Sequence, residues 1–292
     1  MTERSGVKNI DQKFAVICYA AAVCVSAVAS AIVQATVPTG TNLYIYLAYL
    51  LPQAGYIGVF ALMWYRYKRG FGGLVKRESV KGTDYPIAAL IAAGLLFFAL
   101  LPNFGMGKLF EAMGIKATVI VPEMNTWYDY LLCGLTICVL PAIGEELVFR
   151  KAFCDGMESV ADYKTVLLCG LCFSLSHLNP AQTVHQFVLG CVLALVYVVT
   201  KNVTVTMTMH FINNALALYL ERITGAEVWN NITVTGICCA VGAVAVAAGL
   251  FLLLRKRKGL DNKKEGKPES LTVILVVVLA AAWAITFGFS FR

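Results

Sequence analysis

The sequence is short of charged residues. Only 14% of its 292 residues are Asp, Glu, Lys or Arg, whereas a soluble domain carries about 25%. Hydrophobic residues make up 59% of the chain, and the mean hydropathy is +0.73. This composition excludes an ordinary soluble protein and predicts an integral membrane protein. The sequence shows neither an internal repeat nor a segment typical of a soluble domain.

Formal charge is absent from six long apolar runs. They are residues 14–65, 85–102, 165–200, 203–220, 232–254 and 271–291. A transmembrane helix needs about 20 apolar residues, so the first run is long enough for two spans, joined by an uncharged link at 38–42. A seventh apolar run begins at Trp127, and this one ends in charged residues.

These runs predict an all-α, polytopic membrane helix bundle of about eight to nine transmembrane helices, with the active site inside the bundle. The nine expected spans are residues 14–37, 43–65, 85–101, a span from 127 through both glutamates at 145–146, 165–177, 183–200, 203–220, 232–254 and 271–291. We divide the chain into three parts. They are N-terminal accessory helices at 1–126, a catalytic core bundle at 127–221 and C-terminal accessory helices at 222–292.

The basic residues lie between the apolar runs. Residues 66–84 contain six basic and two acidic side chains, and residues 255–267 contain seven basic ones. With nine spans, these segments share one side with the N-terminus and Lys201, and the positive-inside rule makes that side cytoplasmic. Membrane topology thus accounts for the net charge of +7, and we expect no nucleic-acid partner. The expected location is a prokaryotic plasma membrane, with the N-terminus in the cytoplasm and the C-terminus outside.

The ten cysteines do not predict a disulfide framework. Most of them lie inside apolar runs, where they are interpreted as small packing residues. A cleavable signal peptide is not expected either. The first apolar run is longer than an h-region and continues past the weak Ala-Ser-Ala site at 29–31.

Two adjacent carboxylates, Glu145 and Glu146, stand at the end of the seventh run. Arg150 lies four residues after Glu146, on the same helical face. Ionisable groups are costly at bilayer depth, so they indicate a functional site by default. The competing interpretation is that Glu146, Arg150 and Lys151 lie at the membrane surface, the first two as an ion pair. It explains the two glutamates less well, because one arginine cannot neutralise both.

The chain has only three histidines. At a rise of ~1.5 Å per residue, Glu145 and His210 lie at similar depth, roughly 8–12 Å from the cytoplasmic edge, and His177 lies at about 20 Å. Convergence of the three side chains therefore requires a tilted or submerged fifth span. Asn214 follows His210 by one turn on the same face. His185 has no acidic or amide partner at helical spacing, and we interpret it as a helix–helix hydrogen-bond donor.

Glutamate, two histidines and an asparagine in a protected cavity are suited to the activation of water. A carboxylate at low dielectric becomes a better general base, imidazole can orient the water, and an amide can donate to an oxyanion. Glu145, His177 and His210 could instead hold a divalent metal such as zinc. The spacing leaves both mechanisms open. We expect these three residues and Asn214 to line one polar cavity in the cytoplasmic half of the membrane, among spans four to seven.

Three short motifs follow one another on successive predicted spans. They are Glu145-Glu146-x-x-x-Arg150, Phe173-x-x-x-His177 and His210-x-x-x-Asn214. In this order they resemble the signatures of the CPBP intramembrane proteases, also called the CAAX protease and bacteriocin-processing, or Abi, family. The resemblance covers residues 127–220. Lys151 departs from the family pattern, which often has glycine there, but it does not replace a residue of catalytic type.

The resemblance implies an intramembrane endopeptidase and a role for each motif residue. The catalytic set would be Glu145, Glu146, His177, His210 and Asn214, with Arg150 and Phe173 in support. The first glutamate, supported by the second, would activate water with the help of the first histidine, and the second histidine and the asparagine would stabilise the oxyanion. The family is described both as metalloproteases and as metal-independent glutamate proteases, so no cofactor is certain and zinc stays an alternative.

The implied substrate is a peptide precursor or a membrane-associated protein, met in the lipid bilayer. A CAAX substrate follows from the family alone. Two other classes of function compete with this one. A non-catalytic immunity or scaffold protein could keep the fold, but the intact set of residue types argues against it. A redox carrier could use His177 and His210 as haem ligands, but it gives the two glutamates no role.

Overall fold

The structure is a computed structural model that describes residues 10–67, 81–115, 122–257 and 259–289. Within these ranges the chain is helical, and the only β-type pairing is an isolated bridge between Val160 and Gly266. Nine long helices follow one another. They are α1 (Gln12–Thr36), α2 (Asn42–Arg66), α3 (Asp84–Ala112), α4 (Trp127–Cys154, a composite helix), α5 (Asp162–Ser176), α6 (Thr183–Thr200), α7 (Val203–Thr224), α8 (Ile232–Arg255) and α9 (Ser270–Phe289).

This architecture confirms the prediction of an all-α, polytopic helix bundle. In the described part of the chain, seven helices are long and apolar enough to cross a membrane; α6 is counted there with the short 3-10 turn Pro180–Gln182 that precedes it. The other two long helices, α5 and α7, lie outside that set, α5 having only 15 residues. Each predicted span corresponds to one of the nine helices.

The third span was predicted too short. The expected end was residue 101, whereas α3 continues through Pro102 to Ala112. Proline removes one backbone donor from a helix, but a chain inside a membrane must still satisfy its other backbone groups internally. The helix therefore passes the proline and carries residues 103–112 to its far end.

Side-chain caps determine where several helices begin. The Asp11 carboxylate accepts from the Phe14 backbone N–H at 2.7 Å and starts α1. The Thr41 hydroxyl accepts from the backbone N–H of Tyr44 and starts α2. At the start of α4, Thr126 and Asp129 form a capping box. Each cap satisfies backbone donors that a helix leaves unpaired in its first turn.

The helices run up and down, so their ends collect at two faces. One of them, called the basic face here, is defined by the end of α2, the start of α3 and residues 255–257 and 259–267. Asp84 pairs there with Arg257, Lys264 Nζ lies 2.8 Å from Asp162 Oδ1, and Gln12 Nε2 donates to the Lys267 carbonyl. These contacts tie the starts of α1, α3 and α5 to the segment between α8 and α9.

The opposite face contains the end of α3, the start of α4 and the end of α7. Asn42 Nδ2 donates to the Glu123 carbonyl at 3.3 Å, and Arg222 Nη2 donates to the Met124 carbonyl at 3.1 Å. Tyr219 donates its hydroxyl to the Tyr130 carbonyl. Residues 122–130 are thereby held against α2 and α7.

Helices α3 and α8 approach each other through small residues. A Cβ on Gly94 would lie 3.0 Å from both the Ala245 Cβ and the Gly242 carbonyl oxygen. A Cβ on Gly242 would overlap the backbone of Phe98 and Gly94. Close backbone packing of this kind replaces the hydrophobic driving force that membrane helices lack.

All ten cysteines are free, as the sequence predicts. Cys154 and Cys169 both donate to the Phe149 carbonyl, with sulfur–oxygen distances of 3.4 Å and 3.2 Å. Cys169 and Cys172 have the spacing of a C-x-x-C pair, yet both are buried in α5 as thiols. Their position supports a packing role.

We predict that Gly242→Ala lowers the thermal stability of the detergent-solubilised protein, because its methyl group overlaps the α3 backbone. Overpacking typically costs 1–3 kcal/mol. The matched control is Gly236→Ala in the same helix, where an added Cβ meets no atom within 4 Å. The control should be neutral or slightly stabilising. Equal melting temperatures for the two variants would contradict the proposed contact.

Candidate active site

Helix α4 changes its hydrogen-bond pattern on both sides of the glutamates. It is π-helical over Gly134–Val139, α-helical over Leu140–Glu145 and π-helical again over Glu146–Cys154. π-Helical turns are rare and occur frequently at functional sites. Glu145 and Glu146 stand at the junction between two helix types, which the sequence pattern did not indicate.

Asn214 binds the backbone of α4 close to Pro141. The proline itself has no N–H to donate within the helix, and Ile137 belongs to the π-helical segment before it. Asn214 Nδ2, on α7, donates to the Ile137 carbonyl at 3.1 Å. Asn214 therefore has a structural contact in addition to its place at the candidate site. The amide nitrogen has a second hydrogen, which this bond does not use.

Glu146 lies at the centre of a buried charge cluster. Its Oε1 atom is 2.9 Å from His210 Nδ1 and 3.2 Å from Arg150 Nη1, and both Glu146 and Arg150 are 0% exposed. Lys151 is also buried and pairs with Asp155 at 2.9 Å. The interpretation of these residues as surface groups is therefore wrong, because the helices around α4 cover them.

Phe173 packs the cluster together. The Arg150 guanidinium carbon lies 4.6 Å from the centroid of its ring, within the range of a cation–π interaction. The same ring contacts His177 at 4.8 Å and His210 at 5.9 Å between centroids. Arg150 Nη2 also donates to the Gly190 carbonyl at 3.4 Å. One aromatic ring thus contacts the arginine and both motif histidines.

Glu145 points to a different environment from its neighbour. Its Oε1 atom accepts a hydrogen bond from Gln53 Nε2 at 2.8 Å, and its Oε2 atom lies 3.9 Å from His210 Nε2. Gly144 allows α2 to come this close, since a Cβ there would lie 3.0 Å from Gln53 Oε1. His210 therefore stands between the two glutamates, with one ring nitrogen towards each.

A cavity of about 1430 Å³ contains the candidate site. Glu145, His177, His210 and Asn214 all lie in its wall, whereas Glu146 lies behind the wall. The structure therefore brings the three motifs together, as the expected cavity requires. Gln53 and residues of α3 also line it, so the region that the sequence describes as accessory contributes to the site.

His185, which the sequence predicts to be a helix-packing residue, also borders the cavity. The structure places it in the cavity wall together with His177. The short turn at Pro180–Gln182 reverses the chain between α5 and α6, so His185 on the first turn of α6 returns to the site. Helical spacing could not reveal this, because the two histidines belong to different helices.

The donor set does not fit a metal centre in this arrangement. Within the described residues, no three His, Cys, Asp or Glu side chains lie close enough together to hold an ion. Among the residues proposed as zinc ligands, His210 contacts Glu146 and His177 contacts the Phe173 carbonyl through Nδ1, which leaves each Nε2 open. Together with Glu145, however, these atoms do not form a three-ligand group.

The central part of the chain is similar to a known protein family. Residues 127–216 match the Rce1-like family, described as Type II CAAX prenyl endopeptidase Rce1-like. This confirms the family resemblance indicated by the three motifs, over about a third of the chain. No match was found among curated proteins or solved structures.

At the family level, the match supports a CAAX-protease-like intramembrane endopeptidase. Together with the seven apolar helices, it indicates an integral, multi-pass membrane protein. The matched segment contains all three motifs and the whole of α4, α5 and α6. Gln53 lies outside it, as do the residues of α3 that line the cavity.

We predict that Gln53→Leu lowers kcat by roughly 10- to 100-fold with little change in KM, because it removes a hydrogen bond to a charged group, worth about 1.5–3 kcal/mol. Gln53 is a positioning residue, acting through Glu145. The control is Gln34→Leu, at an exposed position of α1, which should keep full activity. A rise in KM with unchanged kcat would contradict the positioning role.

Proposed function

We propose that the protein is an intramembrane endopeptidase of glutamate type, which hydrolyses a peptide bond in a peptide precursor or a membrane-associated protein. The observation that carries the proposal is the difference between the two glutamates. Glu146 is fully buried between Arg150 and His210, whereas Glu145 lines the cavity. Of the two motif glutamates, Glu145 is the one that borders the cavity, and in this proposal it accepts the proton of a water molecule there.

The base and its water are held from two sides. Gln53 donates to one carboxylate oxygen of Glu145 and fixes its orientation. The other oxygen lies 3.9 Å from His210 Nε2, a separation that one bridging water can span. In this position the water gives its proton to Glu145 while its oxygen attacks the substrate carbonyl, as general-base catalysis requires.

Glu146 acts through His210. Its carboxylate accepts from the Nδ1–H of the imidazole and fixes the ring, as the carboxylate does in other histidine-dependent hydrolases. Arg150 Nη1 pairs with the same carboxylate at 3.2 Å. With Nδ1 so occupied, Nε2 is directed at Glu145 and the water. This assignment differs from the role suggested by the family, in which the second glutamate supports the first directly.

Asn214 and His177 complete the arrangement. Both line the cavity beside the base. The free hydrogen of the Asn214 amide can donate to the oxyanion that forms at the substrate carbonyl. The His177 ring donates Nδ1–H to the Phe173 carbonyl, so its Nε2 lone pair can accept a hydrogen bond from the water. When the C–N bond breaks, Glu145 returns the proton that it took from the water to the leaving nitrogen.

We predict that Glu145→Gln lowers proteolysis by a factor on the order of 10²–10⁴, because the amide cannot accept the proton. Folding and membrane insertion should persist, since the amide keeps the size of the side chain. The matched control is Glu158→Gln, an exposed residue at the basic face, which should cleave normally. If a folded Glu145→Gln protein cleaved as well as the unsubstituted one, the proposed protease function would be refuted. A scaffold protein that keeps the fold would then be favoured.

We also predict that catalysis survives removal of divalent metals. The expected result is full activity after dialysis against a chelator, because the cavity residues activate water without an ion. Metal content is measured on the same sample, so that activity and stoichiometry can be compared. Loss of activity with chelator, restored by added zinc, would contradict the glutamate-type mechanism while leaving the endopeptidase activity itself intact.

A further inference from the structure

We propose that substrate enters the cavity from the non-cytoplasmic face of the membrane, so that the enzyme acts on polypeptide segments exposed on that side. This inference rests on the proposed function and adds the side of access and the substrate class. It differs from the sequence-based expectation of a cavity confined to the cytoplasmic half of the membrane.

The cavity extends from the catalytic cluster to the opposite face. Beyond Glu145 and His210, its wall continues along the last turns of α3 and α7. The lining residues of this outer part are Asn103, Gly107, Phe110, Glu111, Glu123, Met124, Ala217, Leu218 and Arg222. At a rise of ~1.5 Å per residue, Arg222 lies roughly 18 Å along α7 from His210. The cavity is therefore a deep channel with one end at the start of α4.

The described residues close the cavity towards the basic face. None of its lining residues comes from the helix ends that define that face. Behind Glu145 lie Glu146, Phe149, Arg150, Phe153 and Phe173, each at most 1% exposed. These side chains form a floor, a packed layer that separates the catalytic residues from the basic face.

The distribution of basic residues between the two faces indicates which face is cytoplasmic. The described residues at the basic face include eight basic ones, Arg66, Lys81, Arg255, Lys256, Arg257, Lys263, Lys264 and Lys267. The ends of α3 and α7 at the other face carry only Lys108 and Arg222 among their described basic residues, and each has a partner there, Glu111 and the Met124 carbonyl. The positive-inside rule assigns the basic face to the cytoplasm. The mouth of the cavity then lies on the non-cytoplasmic side.

The size and lining of the cavity favour a polypeptide substrate. Its volume of about 1430 Å³ exceeds the ~300–1,000 Å³ that is usual for a small-molecule site. Side chains of both signs, Glu111, Glu123 and Arg222, stand at the mouth, and apolar residues such as Phe110 and Leu218 lie among them. Such a lining suits a mixed peptide chain with polar backbone groups.

Cysteine accessibility tests the side of access. The cavity reporters are Ala181→Cys, beside His177, and Ala217→Cys, nearer the mouth. Thr39→Cys marks the opposite face, and Gly82→Cys marks the basic face, where an added Cβ meets no atom within 4 Å. Cells producing each variant are treated with a membrane-impermeant charged maleimide, before and after permeabilisation. The unsubstituted protein sets the background from its native thiols.

The proposal expects both cavity cysteines and Thr39→Cys to react in intact cells, and Gly82→Cys to react only after permeabilisation. Reaction of the cavity cysteines together with Gly82→Cys would overturn it, as would protection of Thr39→Cys and the cavity cysteines in intact cells. Absence of reaction at the cavity positions in both conditions would overturn it as well, since the channel would then be closed to water.

A second readout separates this proposal from the endopeptidase itself. In intact cells, alkylation of Ala217→Cys by the impermeant reagent should abolish proteolysis, and the same treatment of Gly82→Cys should not. Persistent proteolysis after complete alkylation of Ala217→Cys would refute the channel as the substrate route. If instead Glu145→Gln cleaves normally while the labelling pattern holds, the proposed activity fails and the channel remains.

Discussion

The site depends on the burial of the Glu146 carboxylate between two cationic or hydrogen-bonding groups. A buried charge is tolerated only if it is paired and hydrogen-bonded. Arg150 supplies the charge and His210 the donor, and the Phe173 ring packs against both. The same cluster holds α4, α5, α6 and α7 in one arrangement, because the Gly190 carbonyl on α6 also accepts from Arg150. Catalytic geometry and helix packing thus have a common cause.

The backbone of α4 is irregular next to the same two glutamates. Two π-helical turns and Pro141 interrupt its regular hydrogen bonding next to the glutamates. In a membrane, backbone groups must find partners inside the protein, and Asn214 Nδ2 donates to the Ile137 carbonyl within the first π-helical segment. The irregular helix places two neighbouring carboxylates in different surroundings, one in the floor and one in the cavity. Asn214, expected to stabilise an oxyanion, also binds the helix that carries Glu145.

Much of the fold followed from hydropathy, since each of the nine apolar spans corresponds to a helix and only the end of α3 was misplaced, at Pro102. The motif residues could be predicted because their types are unusual inside apolar runs. Gln53 and His185 could not be predicted as site residues. An amide on α2 and an imidazole on α6 are recognisable as part of the site only when tertiary packing brings them to Glu145 and His177. Similarly, Arg150 could be read as a surface residue until the surrounding helices were known to cover it.

The floor beneath the cavity also restricts how a substrate could arrive. A route from the basic face would have to pass between α4, α5 and α7, through Phe149, Phe173 and the buried ion pair. Separating Glu146 from Arg150 leaves an uncompensated buried charge, and breaking such pairs typically costs 3–5 kcal/mol. The path from the opposite face needs no such rupture, since the cavity already reaches Glu145. In the proposed mechanism, the ion pair that orients His210 is therefore also the barrier to substrate from the basic face.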